Sequence, residues 1–194
     1  MDLGHVQLIV VLTLLILILA AWGRAANDAW RSVSEIEGLK FETEWRWQGR
    51  GRLVIGHLYG LVDGRSVNVQ ERHDVIWTTV YSVSYATDER INLRLFPVDR
   101  IPWKRKAHDK LALIALGEPE FDARYEILAD SSELVHRLLG TDAPLRSRLL
   151  ARRSLELTIS AGEVTYEVRG RMRNAKNVQN VLSMLYALAA HVET

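Results

Sequence analysis

Histidine is the residue type in this chain best suited to bind a transition metal, and the sequence contains six histidines. No two of them have the ligand spacing of a motif such as H-E-x-x-H, in which two imidazoles face one metal ion. His73-Asp74 and His108-Asp109 are adjacent pairs, so their side chains point to opposite sides of a strand or helix. We therefore expect no metal site. The five histidines beyond the N-terminal segment are His57, His73, His108, His136 and His191.

Carboxylates are concentrated between residues 118 and 126, where an oxygen-rich cluster could bind a hard cation such as Ca²⁺. We favour the alternative that Asp122 accepts hydrogen bonds from a nearby turn while the other carboxylates stay in water. No cofactor is expected here. The cluster consists of Glu118, Glu120, Asp122 and Glu126.

No motif for nucleophilic catalysis or phosphate binding is present. The sequence lacks G-x-S-x-G, and Ser131-Ser132 is better suited to begin a helix. Residues 49–52 (GRGR) have no following helix that would present its amides to a phosphate. The absence of cysteine excludes disulfides, thiol catalysis and cysteine-based metal centres. We therefore predict no catalytic residue, and a protein that is not an enzyme.

The most basic segment, residues 90–110, carries seven Lys or Arg residues against two Asp, with Trp103 in the middle. Each basic residue near an anionic headgroup layer contributes about 1 kcal/mol to membrane binding, although an ordinary solvated loop is an equal alternative. A net charge of +1 and the lack of interleaved aromatics argue against nucleic acid as a partner. The membrane-contact candidates here are Arg100, Trp103, Lys104, Arg105 and Lys106.

The expectation of a membrane protein rests on residues 6–22, an uncharged, apolar stretch in which Gln7 and Thr13 are the only polar side chains. As a helix it would span roughly 25 Å, near the lower limit for crossing a bilayer. A cleaved signal peptide is the alternative, but no Lys or Arg precedes the stretch, and it exceeds the usual apolar length of about 7–15 residues. We predict a transmembrane anchor at residues 1–23.

Residues 24–38 are predicted to form a stalk between the anchor and a soluble domain at 39–194. Basic residues follow the anchor, at Arg24 and Arg31, and none precede it. The positive-inside rule then places a single-pass protein in the bacterial inner membrane with its domain in the cytoplasm. Trp22, Arg24 and Trp30 are expected to contact the membrane surface.

Contacts between the anchor and other membrane helices are expected at its two ends. Helix association in lipid depends on close packing of small residues and on polar bonds. The anchor offers these only at Gln7 on one side and around Ala20 and Gly23 on the other.

The soluble domain shows strand periodicity first and helical periodicity later. Asp63-Gly64 predicts a hairpin that pairs Leu58 with Val69, and a turn at Ala161-Gly162 predicts a second one. The second hairpin would pair Ile159 with Val164, Leu157 with Tyr166 and Leu155 with Val168. Other predicted strands cover residues 39–47, 75–85, 91–96 and 121–129.

Helices are predicted after Asp130, after Thr141 or Asp142, and after Asn174, where an apolar stripe recurs at helical spacing. We expect an α+β fold, with an antiparallel sheet of seven or eight strands and helices packed on one face. The first five strands are expected to form a meander. The stripe comprises Val178, Val181, Leu182, Leu185, Leu188, Ala189 and Val192.

Two sequence blocks resemble a diffuse family of uncharacterised bacterial membrane-anchored proteins. Residues 56–67 are similar to its G-x-Y-x-G-R-x-V hairpin, which Leu61-Val62 lengthens here, and residues 117–125 are similar to its G-x-P-x-F-D block. The resemblance covers roughly Leu53 to the C-terminus. It implies a shared fold and an N-terminal hydrophobic segment, and it assigns no functional residue.

These patterns predict a non-catalytic accessory or assembly subunit of a larger membrane protein complex, respiratory or photosynthetic. Its partners would be the lipid bilayer and the other subunits of that complex. Two alternatives remain open at this point: a membrane-anchored, hydrolase-like enzyme with a non-motif site, and a module that binds anionic lipid.

Overall fold

The computed structural model describes residues 11–14, 28, 30–35, 38–42, 46–48, 52–73, 76–87, 91–99, 111–151, 154–171 and 174–193. These residues form one ten-stranded sheet in which each pair of neighbouring strands is antiparallel. The strands are β1 Lys40–Glu42, β2 Arg46–Gln48, β3 Arg52–Val62, β4 Arg65–His73, β5 Trp77–Ser84, β6 Leu93–Pro97, β7 Ala112–Ile114, β8 Tyr125–Ala129, β9 Ser154–Ser160 and β10 Glu163–Arg169.

The helices are short except for the last one. We label the helical residues 30–35 α1. The others are α2 Pro119–Asp122, α3 Ser132–Val135 with a π-helical continuation at His136–Gly140, α4 Ala143–Leu150 and α5 Ala175–Glu193.

Capping side chains begin the helices after β8 and β10, as their sequences predict. Ser131 Oγ accepts from Leu134 N at 3.2 Å, and Asp142 Oδ1 accepts from Leu145 N at 2.8 Å. Asn174 Oδ1 accepts from Lys176 N at 2.9 Å at the start of α5. These bonds satisfy amides that a helix cannot pair within itself.

The sheet order is β1-β3-β4-β5-β10-β9-β6-β8-β7, and β2 pairs with the same edge of β3 as β1 does. The expectation of a five-strand meander is therefore wrong, because the β9–β10 hairpin lies between β5 and β6. The predicted single strand at 39–47 is two short strands, β1 and β2. The sheet is also larger than the seven or eight strands expected, since residues 112–114 pair with β8 as an edge strand.

Both predicted hairpins are confirmed. Leu58 pairs with Val69 across the Asp63-Gly64 turn. In the second hairpin Ile159 pairs with Val164 and Leu157 with Tyr166. The third expected pair is wrong: Val168 faces Ser154 instead of Leu155, because the register shifts between Glu167 and Val168. A bulge of this kind adds one unpaired residue to a strand.

The predicted strand at 121–129 is helical at its start. Pro119 occupies the first turn of α2, and the following β8 begins only at Tyr125. Proline cannot donate to a sheet ladder but suits the first turn of a helix. Phe121 is buried as a result, 1% exposed, and its ring centroid lies 5.1 Å from that of Tyr125.

Helices α1 to α5 contribute to one core on a single face of the sheet, as predicted. Val69, Tyr81 and Tyr166 lie opposite one another on neighbouring strands, and all three are buried. Every residue of the predicted α5 stripe is buried as well, so this helix packs on the sheet with its apolar side. The fold is α+β, with an antiparallel sheet and helices on one face.

Candidate functional site

Most of the residues predicted to contact membrane or partner helices lie outside the described part of the chain, and Trp30 is the exception. Among the described residues no helix has the length and apolar character needed to span a bilayer. The residues outside are Gln7, Ala20, Trp22, Gly23, Arg24, Arg100, Trp103, Lys104, Arg105 and Lys106.

Trp30 does not contact the membrane surface in the structure, so that prediction is wrong. It is buried at 1% exposure, and its ring stacks on Phe41 with centroids 5.8 Å apart. Val33, one helical turn further on, is fully buried in the same core. Burying the indole in this apolar site is more favourable in free energy than leaving it at a hydrated interface. The folded core therefore includes part of the segment predicted as a stalk.

Four residues of the predicted anchor, 11–14, are described, and all four are helical. Val11, Leu12 and Leu14 are 64%, 49% and 56% exposed. Their apolar side chains consequently make little contact with the folded domain.

The sheet face opposite the helices carries an ion pair between Arg94 on β6 and Glu156 on β9. Arg94 Nε donates to Glu156 Oε1 at 2.7 Å, and the two side chains are only 17% and 6% exposed. Thr158 Oγ1 donates to the same carboxylate oxygen at 3.4 Å. Because this carboxylate is engaged by a guanidinium, it is poorly placed to act as a general acid or base.

A second polar group occupies the same face at its other edge. His57 Nε2 lies 3.1 Å from Asn68 Oδ1, and the imidazole is 4.9 Å from the ring of Tyr59. The Tyr59 hydroxyl donates to Glu42, and this hydrogen bond raises the pKa of the tyrosine above its ordinary value. Such a group can bind polar molecules but offers no activated nucleophile.

The helix-covered face contains a fully buried charge at Glu71, which is 0% exposed. Arg171 Nε donates to Glu71 Oε2 at 3.1 Å, and its guanidinium carbon lies 4.4 Å from the centroid of the Trp77 ring. Thr79 Oγ1 donates to Gly170 O at 2.9 Å beside this pair. A buried carboxylate needs such a partner, since an unpaired one would be strongly destabilising.

Sequence reasoning missed both ion pairs, whose members are 62 and 100 residues apart. One signal was available for Glu71. It continues the inward alternation of Val67 and Val69 along β4, so the sequence pattern could have indicated a carboxylate on the core face that requires a cation.

The acidic cluster at 118–126 is held by structural contacts. Asp122 accepts from Leu116 N at 3.0 Å and from Gly117 N at 2.8 Å, which confirms the predicted turn. Glu118 forms an ion pair of 3.3 Å with Arg146. Across the described ranges, no three His, Asp or Glu side chains converge in a way that could hold a metal ion.

No protein-family model matches this chain, and no curated protein matches it in sequence. A solved structure matches it in fold. The crystal structure of the mycobacterial trehalose monomycolate transport factor A, TtfA, aligns with a TM-score of 0.57. The alignment covers 87% of this chain and 93% of that chain at 11% sequence identity. At this level of sequence identity, the match shows a shared fold and nothing more.

Proposed function

We propose that this protein is a membrane-anchored, non-catalytic accessory subunit of a membrane protein complex, and that the complex belongs to the transport class. The observation that carries the proposal is the fold likeness to TtfA, which extends over 87% of this chain and 93% of that one. The neighbour is a transport factor by its name, and this replaces the respiratory or photosynthetic setting expected from the sequence.

The contacts of the domain support a binding role over a catalytic one. The two fully or nearly buried glutamates, Glu71 and Glu156, each face an arginine. Asp122 is held by two backbone amides of its own turn. These contacts stabilise the fold and leave these three carboxylates poorly placed to act on a substrate.

The exposed, apolar side chains of Val11, Leu12 and Leu14 support the anchor. Apolar side chains left outside the core are expected in a segment that meets lipid or another helix. We infer that residues 6–22 cross the bacterial inner membrane and pack against helices of the partner complex.

The experiment is purification of the tagged full chain in a mild detergent, compared with a variant whose residues 6–22 are replaced by an unrelated apolar helix. We expect the unaltered chain to co-purify stoichiometrically with a polytopic membrane protein. The variant should stay in the membrane fraction and keep its melting temperature, but lose that partner. A partner retained by the variant would show that the anchor only tethers, and a chain that purifies alone would contradict the subunit role.

Orientation is tested separately by single-cysteine labelling, which the natural lack of cysteine makes specific. Leu61 is 72% exposed and suits a cysteine, whereas Ser34 is half-buried with its hydroxyl bonded to Arg31 O. With the domain in the cytoplasm, Leu61→Cys should be shielded from an impermeant maleimide in intact cells. It should react after the cells are opened. Labelling in intact cells would reverse the orientation.

A further inference from the structure

The ends of the strands differ in charge. β3 and β5 begin, and β4 and β10 end, at the same end of the sheet, because His73 pairs with both Leu53 and Trp77, and Arg169 pairs with Thr78. We call this the basic end. It is defined by Arg72, Ile76, Trp77, Arg169, Arg171 and Lys176.

Positive side chains dominate the part of this end formed by β4, β5, β10 and the start of α5. Arg169 and Lys176 are exposed, and Arg72 is half-buried. Arg171 is 22% exposed, and its partner Glu71 is the fully buried carboxylate. The N-terminus of α5, where Lys176 lies in the first turn, adds the positive end of a helix dipole.

An apolar tip, formed by Ile76 and Trp77, lies at the start of β5. Ile76 is 37% exposed, and Trp77 follows it half-buried. The guanidinium of Arg171 lies over the Trp77 ring, 4.4 Å from its centroid, so a cation is held beside the tip. Apolar and aromatic side chains surrounded by arginines suit the boundary between headgroups and acyl chains.

The opposite end of the sheet is acidic. Arg65 at this end is paired with Glu193 at the C-terminus of α5. The tip there is the Asp63-Gly64 turn, without an aromatic residue. Exposed acids at this end are Asp63, Asp130, Glu133, Glu163 and Glu193.

The described chain between Trp30 and Leu39 follows β3. Gly56 on β3 lies against Trp30, and Gly60 lies against Leu39, so the chain runs along β3 away from the basic end. Eight peptide steps separate Trp22 from Trp30, which can span about 28 Å at most. The basic end is therefore within reach of the predicted anchor.

We propose that the basic end docks on the anionic headgroup layer of the membrane, with Ile76 and Trp77 in the interface and the surrounding Arg and Lys side chains on lipid phosphates. This rests on the proposed anchoring at residues 6–22. Docking holds the sheet end-on to the bilayer and turns its acidic end toward the cytoplasm. An acidic protein surface is a less suitable occupant, because the tip is apolar and the anchor brings lipid close.

The test uses the full chain reconstituted in liposomes that contain a headgroup-proximal spin-labelled lipid as quencher. Ile76→Cys carries an environment-sensitive fluorophore, and Leu61→Cys, an exposed apolar strand residue beside the Asp63-Gly64 turn, is the matched control. In vesicles of phosphatidylcholine with phosphatidylglycerol, we expect quenching at residue 76 to be several-fold stronger than at residue 61. The difference should shrink at high salt, which screens the charges without any further substitution.

Replacing Arg72, Arg169 and Lys176 together by Gln should reduce quenching at residue 76 to the level at residue 61, with an unchanged melting temperature. Equal quenching at the two positions, or equal quenching of residue 76 in neutral and anionic vesicles, would overturn the proposal. Flotation separates this result from the proposed function. If the chain floats with the liposomes but the label at residue 76 is not quenched, only the docking is contradicted. If the chain does not float with the liposomes, the anchor is contradicted as well.

Discussion

Trp30 lies so close to Gly56 that a Cβ atom at residue 56 would be 2.7 Å from Trp30 Cε2. The indole therefore packs directly on β3, which is possible because residue 56 has no side chain. This contact joins α1 to the sheet, so the segment that leads to the predicted anchor is part of the folded domain.

Gly56→Ala should lower the free energy of unfolding by about 1–3 kcal/mol, because the methyl group forces the buried indole or the strand to shift. Gly140→Ala is the matched control. A Cβ at residue 140 would meet His136 Nδ1 at an ordinary 3.5 Å, and its φ is not positive. We expect that control to change stability by less than about 0.5 kcal/mol. Thermal unfolding of the full chain in detergent measures both, and equal effects would contradict the Trp30 contact.

The β9–β10 turn predicts opposite effects for two neighbouring substitutions. Ala161 and Gly162 have φ of 51° and 78°. Gly162→Val should destabilise by about 1–3 kcal/mol, since a β-branched residue is strained at positive φ. Ala161→Asn should raise the melting temperature, because Asn-Gly is the preferred pair for this turn. If both variants melted lower by the same amount, the turn geometry would be wrong.

Removing Glu156 should be among the most destabilising single changes on the face opposite the helices. Glu156→Ala leaves Arg94, 17% exposed, without its carboxylate, and breaking a buried pair in this way costs about 3–5 kcal/mol. Glu163→Ala on the next strand removes an exposed carboxylate and should change stability by at most about 0.5 kcal/mol. Urea unfolding of the two variants decides this. Equal midpoints would mean that the Arg94–Glu156 pair is not formed.

The C-terminal end of α5 predicts a dependence of stability on pH. The amide of Ala86, which donates to Glu193 Oε1 at 3.0 Å, lowers the pKa of this carboxyl below 4.5, and Arg65 lowers it further. Because the folded pKa is the lower one, the stabilisation is fully present above pH 4.5 and is lost as the pH falls through the folded pKa. The pair is partly solvated, so its contribution is below about 1 kcal/mol.

Glu193→Gln should therefore melt lower than the unaltered chain at pH 7, and the difference should shrink as the pH falls below 4.5. In an Arg65→Gln background the difference at pH 7 should be smaller but still present, because the Ala86 amide remains. Melting curves across this pH range provide the measurement. A difference that stays constant with pH would show that the charge of Glu193 is not the cause.

Features that depend on neighbours along the chain could be predicted from the sequence. The Asp63-Gly64 and Ala161-Gly162 turns set the register of their own hairpins within a few residues. The caps at Ser131, Asp142 and Asn174 bond to amides two or three residues away. The α5 stripe follows from the helical period alone, so local chemistry determined these elements and the α+β class.

Contacts between distant parts of the chain were decided only by the tertiary structure. β10 pairs with β5, and Arg171 forms an ion pair with Glu71 across 100 residues. The local sequence allows many strand pairings and ion pairs of similar stability, and only packing around one core selects among them. For the same reason Trp30, an aromatic that the sequence placed at the lipid surface, lies in the core, where the side-chain-free Gly56 makes room for it. The position of Arg72, Arg169 and Arg171 at the same end of the sheet as Ile76 likewise required the strand order. This end combines the ends of β4 and β10 with the start of α5.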